Sequence, residues 1–326
     1  MKKDEITRRE MLQASGIALV AGGLTGMVSC SSSDTQRKTP SEKKERPFRV
    51  SLNTSTIRGY KLPVEEQIDL CAEAGFEGIE LWVSDVETYI EQGGSAEALG
   101  DRIKQHGLVL ENMIAFSTWI ADDATQRAAG VQKMRQDMEL TARLGGAFIA
   151  APAQGITIIE KERLHEYADR YRVILEEGVQ AGVIPILELW GAGAISQLSD
   201  VTAIAIGAAH PQASMLLDFY HVYRGGNSFD SLRQLNGGNL PVFHINDYPA
   251  SIPREALKDA DRVFPGDGSC PFDQVIPLLY DTGFRGAFSI ELFNQRYWGS
   301  MDVSTLLKES YSKTVNTLEN AINPNY

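Results

Sequence analysis

From residue 184 the chain reads Ile184-Pro185-Ile186-Leu187-Glu188, and three more runs of the same build follow: Met215-Leu216-Leu217-Asp218, Val242-Phe243-His244 and Phe288-Ser289-Ile290-Glu291. Each is short, mostly apolar and β-prone, as expected of a parallel strand buried on both faces. Each also closes on a side chain that can hold a divalent cation. Four such endings in succession point to one shared site, because buried ionisable groups must be paired or coordinate a metal.

The pattern extends in both directions. From Phe48 onward, strand-like and helix-like segments alternate through short glycine-containing links, which predicts a parallel sheet with crossover helices. The expected strands are Phe48–Leu52, Gly78–Leu81, Leu108–Met113, Ala147–Ala150, Ile184–Leu189, Met215–Asp218, Val242–Asn246 and Ala287–Leu292. The expected helices are Val64–Ala74, Ala96–His106, Thr125–Leu144, Ile159–Ala181, Val201–Ala209, Phe229–Leu235, Phe272–Asp281 and Val303–Ala321. Eight such pairs make an α/β chain of the size of one (β/α)8 barrel, with its active site at the C-terminal strand ends. A doubly wound sheet is the alternative, but no strand is followed by a glycine-rich dinucleotide turn. The long link from Asp247 to Pro271 falls on the same face, where long connections are more often binding loops than filler.

Three carboxylates and one imidazole at Glu188, Asp218, His244 and Glu291 suit a single Mn, Mg, Co or Zn ion and leave room for two further oxygens. In Asp218-Phe219-Tyr220-His221 a second imidazole follows the metal aspartate by three residues, within reach of a substrate oxygen. Trp82, Trp119, Trp190 and Trp298 mostly follow strand ends, and either a carbohydrate-facing rim or loop packing accounts for them.

The N-terminus belongs outside the fold. Thr7-Arg8-Arg9-Glu10-Met11-Leu12 and the weakly apolar run after it read as a twin-arginine export signal over residues 1–29. Met27-Val28-Ser29-Cys30 resembles a lipobox, which makes Cys30 a candidate lipidated terminus, a periplasmic lipid anchor and the chain's one expected membrane attachment. Residues 30–46 read as a flexible tether, and the catalytic body as 47–326. A net charge of −12 argues against nucleic acid as a partner. Beyond Cys30 the cysteines are Cys71 and Cys270, expected as unpaired thiols.

The body resembles the xylose isomerase-like TIM-barrel superfamily of sugar isomerases and epimerases, with inosose isomerases the nearest likeness. The residues that carry it are Leu52-Asn53, Gly78-Ile79-Glu80, Leu187-Glu188, Leu217-Asp218 with His221, His244-Ile245-Asn246-Asp247, Asp261-Arg262-Val263 with Pro265-Gly266 and Gly268, and Ser289-Ile290-Glu291-Leu292-Phe293. The resemblance implies that Glu188, Asp218, His244 and Glu291 hold one metal. It implies Glu188 and Glu291 as the acid/base pair that moves a proton through a cis-enediolate, and His221, Arg262, Asn53 and Trp190 as substrate contacts. A small carbohydrate or polyol is the expected substrate.

Departures bear on the sugar. Leu189-Trp190-Gly191-Ala192 follows Glu188 where many epimerases carry an asparagine or histidine, and Asn294-Gln295-Arg296 follows Phe293. Export would expose the enzyme to extracellular glycosides. A 3-keto-glycoside lyase begins with the same proton abstraction and then expels the C1 substituent, with a partner oxidoreductase supplying the ketone. An apurinic endonuclease on this barrel needs more histidines and a basic surface than five histidines and −12 provide. A sugar-binding lipoprotein without catalysis is disfavoured by the intact ligand quartet.

Overall fold

Eight parallel strands close on themselves in chain order, with β1 paired to β8 as well as to β2. They are β1 (Arg49–Asn53), β2 (Gly78–Trp82), β3 (Val109–Ile114), β4 (Phe148–Pro152), β5 (Ile184–Glu188), β6 (Met215–Asp218), β7 (Val242–Ile245) and β8 (Ala287–Ile290). This computed structural model describes residues 47–322, which lie in one compact unit. The expected export signal, Cys30 and the tether to residue 46 lie outside the described residues. Among the described residues no helix is long and apolar enough to cross a membrane.

The helices are α1 (Val64–Ala74), α2 (Val83–Glu91), α3 (Ala96–Gln105), α4 (Ala124–Arg143), α5 (Leu164–Ala181), α6 (Leu198–Gly207), α7 (Phe219–Arg224), α8 (Phe272–Asp281), α9 (Gln295–Ser300) and α10 (Val303–Ile322). Two expectations need correction. Phe229–Gln234 is a 3-10 helix, not an α-helix, because Leu235 turns extended after only six residues, too few to offset the cost of an α nucleus. The helix expected from Ile159 begins at Leu164, after a 3-10 turn at Lys161–Arg163 closed by Arg163 N–H donating to the Glu160 carbonyl. Helix α2 went unread because Val83, Val86, Thr88 and Ile90 are β-branched and mask its helical spacing, although Val83 and Val86 are its buried face.

Strand periodicity sorts the core into two layers. Leu187, Leu217, Phe243, Phe288 and Ile290 point outward and pack in the main apolar cluster against the helices. Ile114, Ala150, Ile186, Leu216 and Val242, one from each of five successive strands, form a separate cluster inside the barrel. Two residues further along the same inward faces stand Glu188, Asp218 and His244, so the alternation that fills the barrel floor with aliphatics lifts the polar groups to its C-terminal mouth. Cys71 and Cys270 are free thiols.

Candidate metal centre and active-site cleft

Register brings the predicted ligands together. Asp218 on β6 pairs with His244 on β7, and His244 pairs with Ser289 on β8, two residues before Glu291 on the same face. Ligand atoms of Asp218, His244 and Glu291 all lie within 4.8 Å of one another, and all three residues are buried. Glu188 stands outside this compact group. It lines the same cleft from the end of β5.

The His244 ring is poised as a ligand. Its Nε2 lies 3.1 Å from Glu80 Oε1. Its Nδ1 faces Glu291 Oε2 at 3.3 Å and Asp218 Oδ2 at 3.9 Å. An imidazole nitrogen facing two buried carboxylates, with its other nitrogen held by a third, is the donor set of a divalent-cation site with an outer orienting carboxylate. The residues present therefore fit a metal held by Asp218, His244 Nδ1 and Glu291, with oxygen and nitrogen donors suited to Zn, Mn or Co.

Sequence reasoning passed over Glu80 as a site residue. Asn112 Nδ2 donates to its Oε2 at 2.8 Å, and Glu80, Asn53 and Asn112 are register neighbours across β1, β2 and β3. The signal was available: an acid near the C-terminal end of an apolar strand, as at Glu188. Asn246 was also missed. Its Nδ2 donates to Asp218 Oδ2 at 2.7 Å, and its Oδ1 accepts from Tyr220 N–H.

Asn53, expected at the substrate, instead lies fully buried behind Glu291. Its Nδ2 donates to Glu291 Oε1 at 3.0 Å, while its Oδ1 accepts from Ser55 N–H and Trp82 Nε1–H. Those bonds commit the amide to holding Glu291 in place.

Arg262 is 1 % exposed and sits at the heart of the site. It donates to Glu291 Oε2 at 2.6 Å, Asp218 Oδ2 at 3.2 Å, Asp259 Oδ1 at 2.6 Å and His221 Nε2 at 3.0 Å. His221 thereby has an accepting Nε2, so its proton is on Nδ1, which has no protein partner. Burial and the adjacent Arg262 charge hold the His221 imidazole well below its ordinary pKa, keeping it neutral. Trp190 stacks on His221 with ring centroids 6.4 Å apart.

The carboxyls diverge. Burial pushes Glu188 up to about 8, with neighbouring Glu291 and Asp218 adding to the rise. Burial also disfavours the Glu291 charge, but the His244 imidazole and Arg262 guanidinium together hold its pKa well below the carboxylate range. His244 shows the converse: burial lowers it, and the Glu291 and Glu80 carboxylates more than offset that.

Arg262 arrives on a loop that one side chain organises. Asp247 Oδ1 accepts from the N–H groups of Tyr248 and Cys270, and Oδ2 from those of Gly266 and Gly268. Its backbone forms an antiparallel bridge with Val263, next to Arg262. A Cβ on Gly268 would sit 2.3 Å from Asp247 Oδ1, so glycine is required for this wrap. The resulting cleft of about 320 Å³ is lined by Glu188, Trp190, His221, Arg262 and Glu291 on one side and by Trp82, Ile114 and Phe116 on the other.

Comparison with known proteins identifies the fold and the family. The family model described as "Xylose isomerase-like TIM barrel" matches residues 68–316. An inosose isomerase of Bacillus velezensis is 24 % identical over 243 residues, spanning 72 % of this chain and 85 % of that protein. A 3-dehydroshikimate dehydratase of Bacillus anthracis is 25 % identical over 254 residues, spanning 72 % and 88 %. A crystal structure of the IolI protein with a bound zinc atom superposes with a TM-score of 0.77 at 21 % identity, covering 84 % of this chain and 99 % of the other.

Proposed function

The chain belongs to the xylose isomerase-like TIM-barrel family, and on that footing we propose that it is a metal-dependent isomerase or epimerase of a keto sugar or keto-inositol. The observation that carries the reading is the buried cluster of Asp218, His244 and Glu291, whose ligand atoms all lie within 4.8 Å of one another at the C-terminal mouth of the barrel. The isomerase name of one relative and the zinc of the IolI structure support it.

Asp218, His244 and Glu291 would hold the cation, with Glu188 completing the set across the cleft. When bound, the cation supplies Lewis-acid stabilisation of negative charge on adjacent substrate oxygens. The protein's own groups do the rest. Glu188 and Glu291 flank the cleft and exchange a proton with the carbons beside the ketone, one removing it and the other returning it. His221 Nδ1–H, left without a protein partner, donates to a substrate oxygen, and Arg262 adds a fixed positive charge beside the developing enediolate. Asn53 and Asn246 position Glu291 and Asp218.

Elimination is a second reading, favoured by the dehydratase name of another relative. With a leaving group β to the carbanion, the same proton abstraction would make the protein a 3-keto-glycoside lyase, served by an oxidoreductase that makes the ketone. Export and lipidation at Cys30 fit that version and remain part of the proposal. The test is proton exchange in D2O, followed by NMR, with the metal-loaded protein and inosose, simple ketoses and 3-keto-glucosides. Deuterium beside the carbonyl with an isomerised sugar supports the leading reading, and aglycone release supports elimination. Absence of exchange with every one of them would overturn both.

A further inference from the structure

The two halves of the cleft differ in chemistry. Asp218, His244, Glu291 and Arg262 gather on the β6–β8 side. The ends of β2 and β3 instead contribute Trp82, Ile114 and Phe116, with Trp190 after β5 linking the two sides. These rings form a row: Trp82 and Phe116 have centroids 5.3 Å apart, Phe116 and Trp190 6.0 Å, and Trp190 stacks in turn on His221. The row therefore runs from the far rim up to the polar centre.

The β2–β3 wall of Trp82, Ile114 and Phe116 has no free side-chain hydrogen-bonding group, because Trp82 Nε1–H, its one side-chain donor, is committed to Asn53 Oδ1. A sugar or inositol ring with hydroxyls around its whole edge would leave those on the β2–β3 side facing Ile114 and Phe116 without side-chain partners, an unfavourable desolvation. A flat apolar group meets no such cost there. Phe116 is 44 % exposed, an aromatic ring left partly in water at the cleft mouth. Arg58 lies over the Trp82 ring at 4.0 Å and holds that panel in place.

We propose that the aromatic row of Trp82, Phe116 and Trp190 is a subsite for a second, apolar ring joined to the sugar, so that the substrate is a glycoside with an aromatic aglycone rather than a free monosaccharide. The inference rests on the reading of the polar half as a keto-sugar site and adds what the rest of the substrate must look like. Stacking of an aryl ring on Phe116 and Trp190 would place the glycosidic bond beside Glu188 and His221.

The test is calorimetric titration of the metal-loaded full chain with phenyl β-glucoside and methyl β-glucoside, which share the sugar and differ in the second ring. Phenyl glucoside is expected to bind at least tenfold more tightly, and Phe116→Ala, at a position already in contact with water, to shrink that ratio severalfold. Phe116→Trp should preserve it, which separates loss of stacking from loss of fold. Equal affinities, or no detectable binding of the phenyl compound, would overturn the inference and leave the wall to the C–H face of a single sugar. Binding requires no turnover, so the two ideas fail separately. A phenyl preference without exchange of any keto sugar sinks both proton-abstraction readings and leaves the subsite standing, and exchange with a ratio of one sinks the subsite alone.

Discussion

Glu291 joins several parts of the site: it accepts from Asn53 and Arg262, faces His244 Nδ1 and lines the cleft. Glu291→Gln keeps the shape and removes the charge, so deuterium exchange should fall by at least about 10²-fold, the usual worth of a positioned base. Full activity in that variant would refute the assignment of roles. Glu80 acts one step back, through His244 Nε2. Glu80→Gln frees the imidazole to change tautomer and should weaken metal affinity by about 10–100-fold, read by competition with a chelating dye. An unchanged affinity would show that the His244 orientation is set elsewhere. A residue outside the site gives an independent electrostatic check. Burial pushes Asp137 up to about 6 even though Lys133 bonds it at 2.5 Å. A carboxyl with a native pKa above its unfolded value favours the folded state at low pH, and that advantage is lost as pH rises from about 4 through about 6. Relative to Asp137→Asn, the wild-type protein should lose on the order of 3 kcal/mol across that window, measured as the difference in urea unfolding free energy. A difference that grows in the wild type's favour over the same window would reverse the sign and discard the argument.

At the scale of elements, the 247–271 link is the piece whose order the site depends on. Asp247→Ala removes the acceptor of four N–H groups at once, so the loop should open to proteolysis near Arg262. Exchange activity should drop by roughly 10²-fold, as expected when a positioning group is displaced by an ångström. A loop that stays protease-resistant would mean that the Asp247–Val263 bridge and Asn294, which donates to the Arg262 carbonyl at 2.9 Å, hold it without the carboxylate. The strands were legible because runs such as Met215–Asp218 carry little besides apolar and β-branched residues before a polar stop, and the structure starts and ends that strand at the same residues. Helix α2 was not, since its core residues Val83 and Val86 serve a strand equally well. Asn53 failed for a different reason: whether its amide meets substrate or Glu291 depends on the β1–β8 seam, between residues 238 positions apart. Local sequence cannot show what closure places next to it. Phe116 and Trp82 likewise acquire meaning only when the barrel brings the ends of β2, β3 and β5 to one rim.

For the whole molecule, that closure would make the proposed metal a structural element as well as a catalytic one. The three clustered ligands come from β6, β7 and the residue after β8, and β8 is the strand that meets β1 to shut the barrel. Without positive charge beyond Arg262 and His244, the buried Glu80, Asp218 and Glu291 carboxylates crowd a volume from which water is excluded, and separating them by unfolding relieves the repulsion. A cation that binds the folded arrangement and not the open chain must therefore raise stability by mass action, about 2.7 kcal/mol at a hundredfold excess over its Kd. In practice, Tm should fall by several degrees on dialysis against EDTA and recover on adding Zn or Mn, with half or less of that recovery in Asp218→Asn. The recovery should also release protons, because His244 must present a bare Nδ1, so titrations in buffers of different ionisation enthalpy should disagree in apparent heat. A Tm indifferent to both chelator and metal, with heats independent of buffer, would mean that Arg262 alone balances the carboxylates and that the cluster is a closed ion-pair network rather than a metal site.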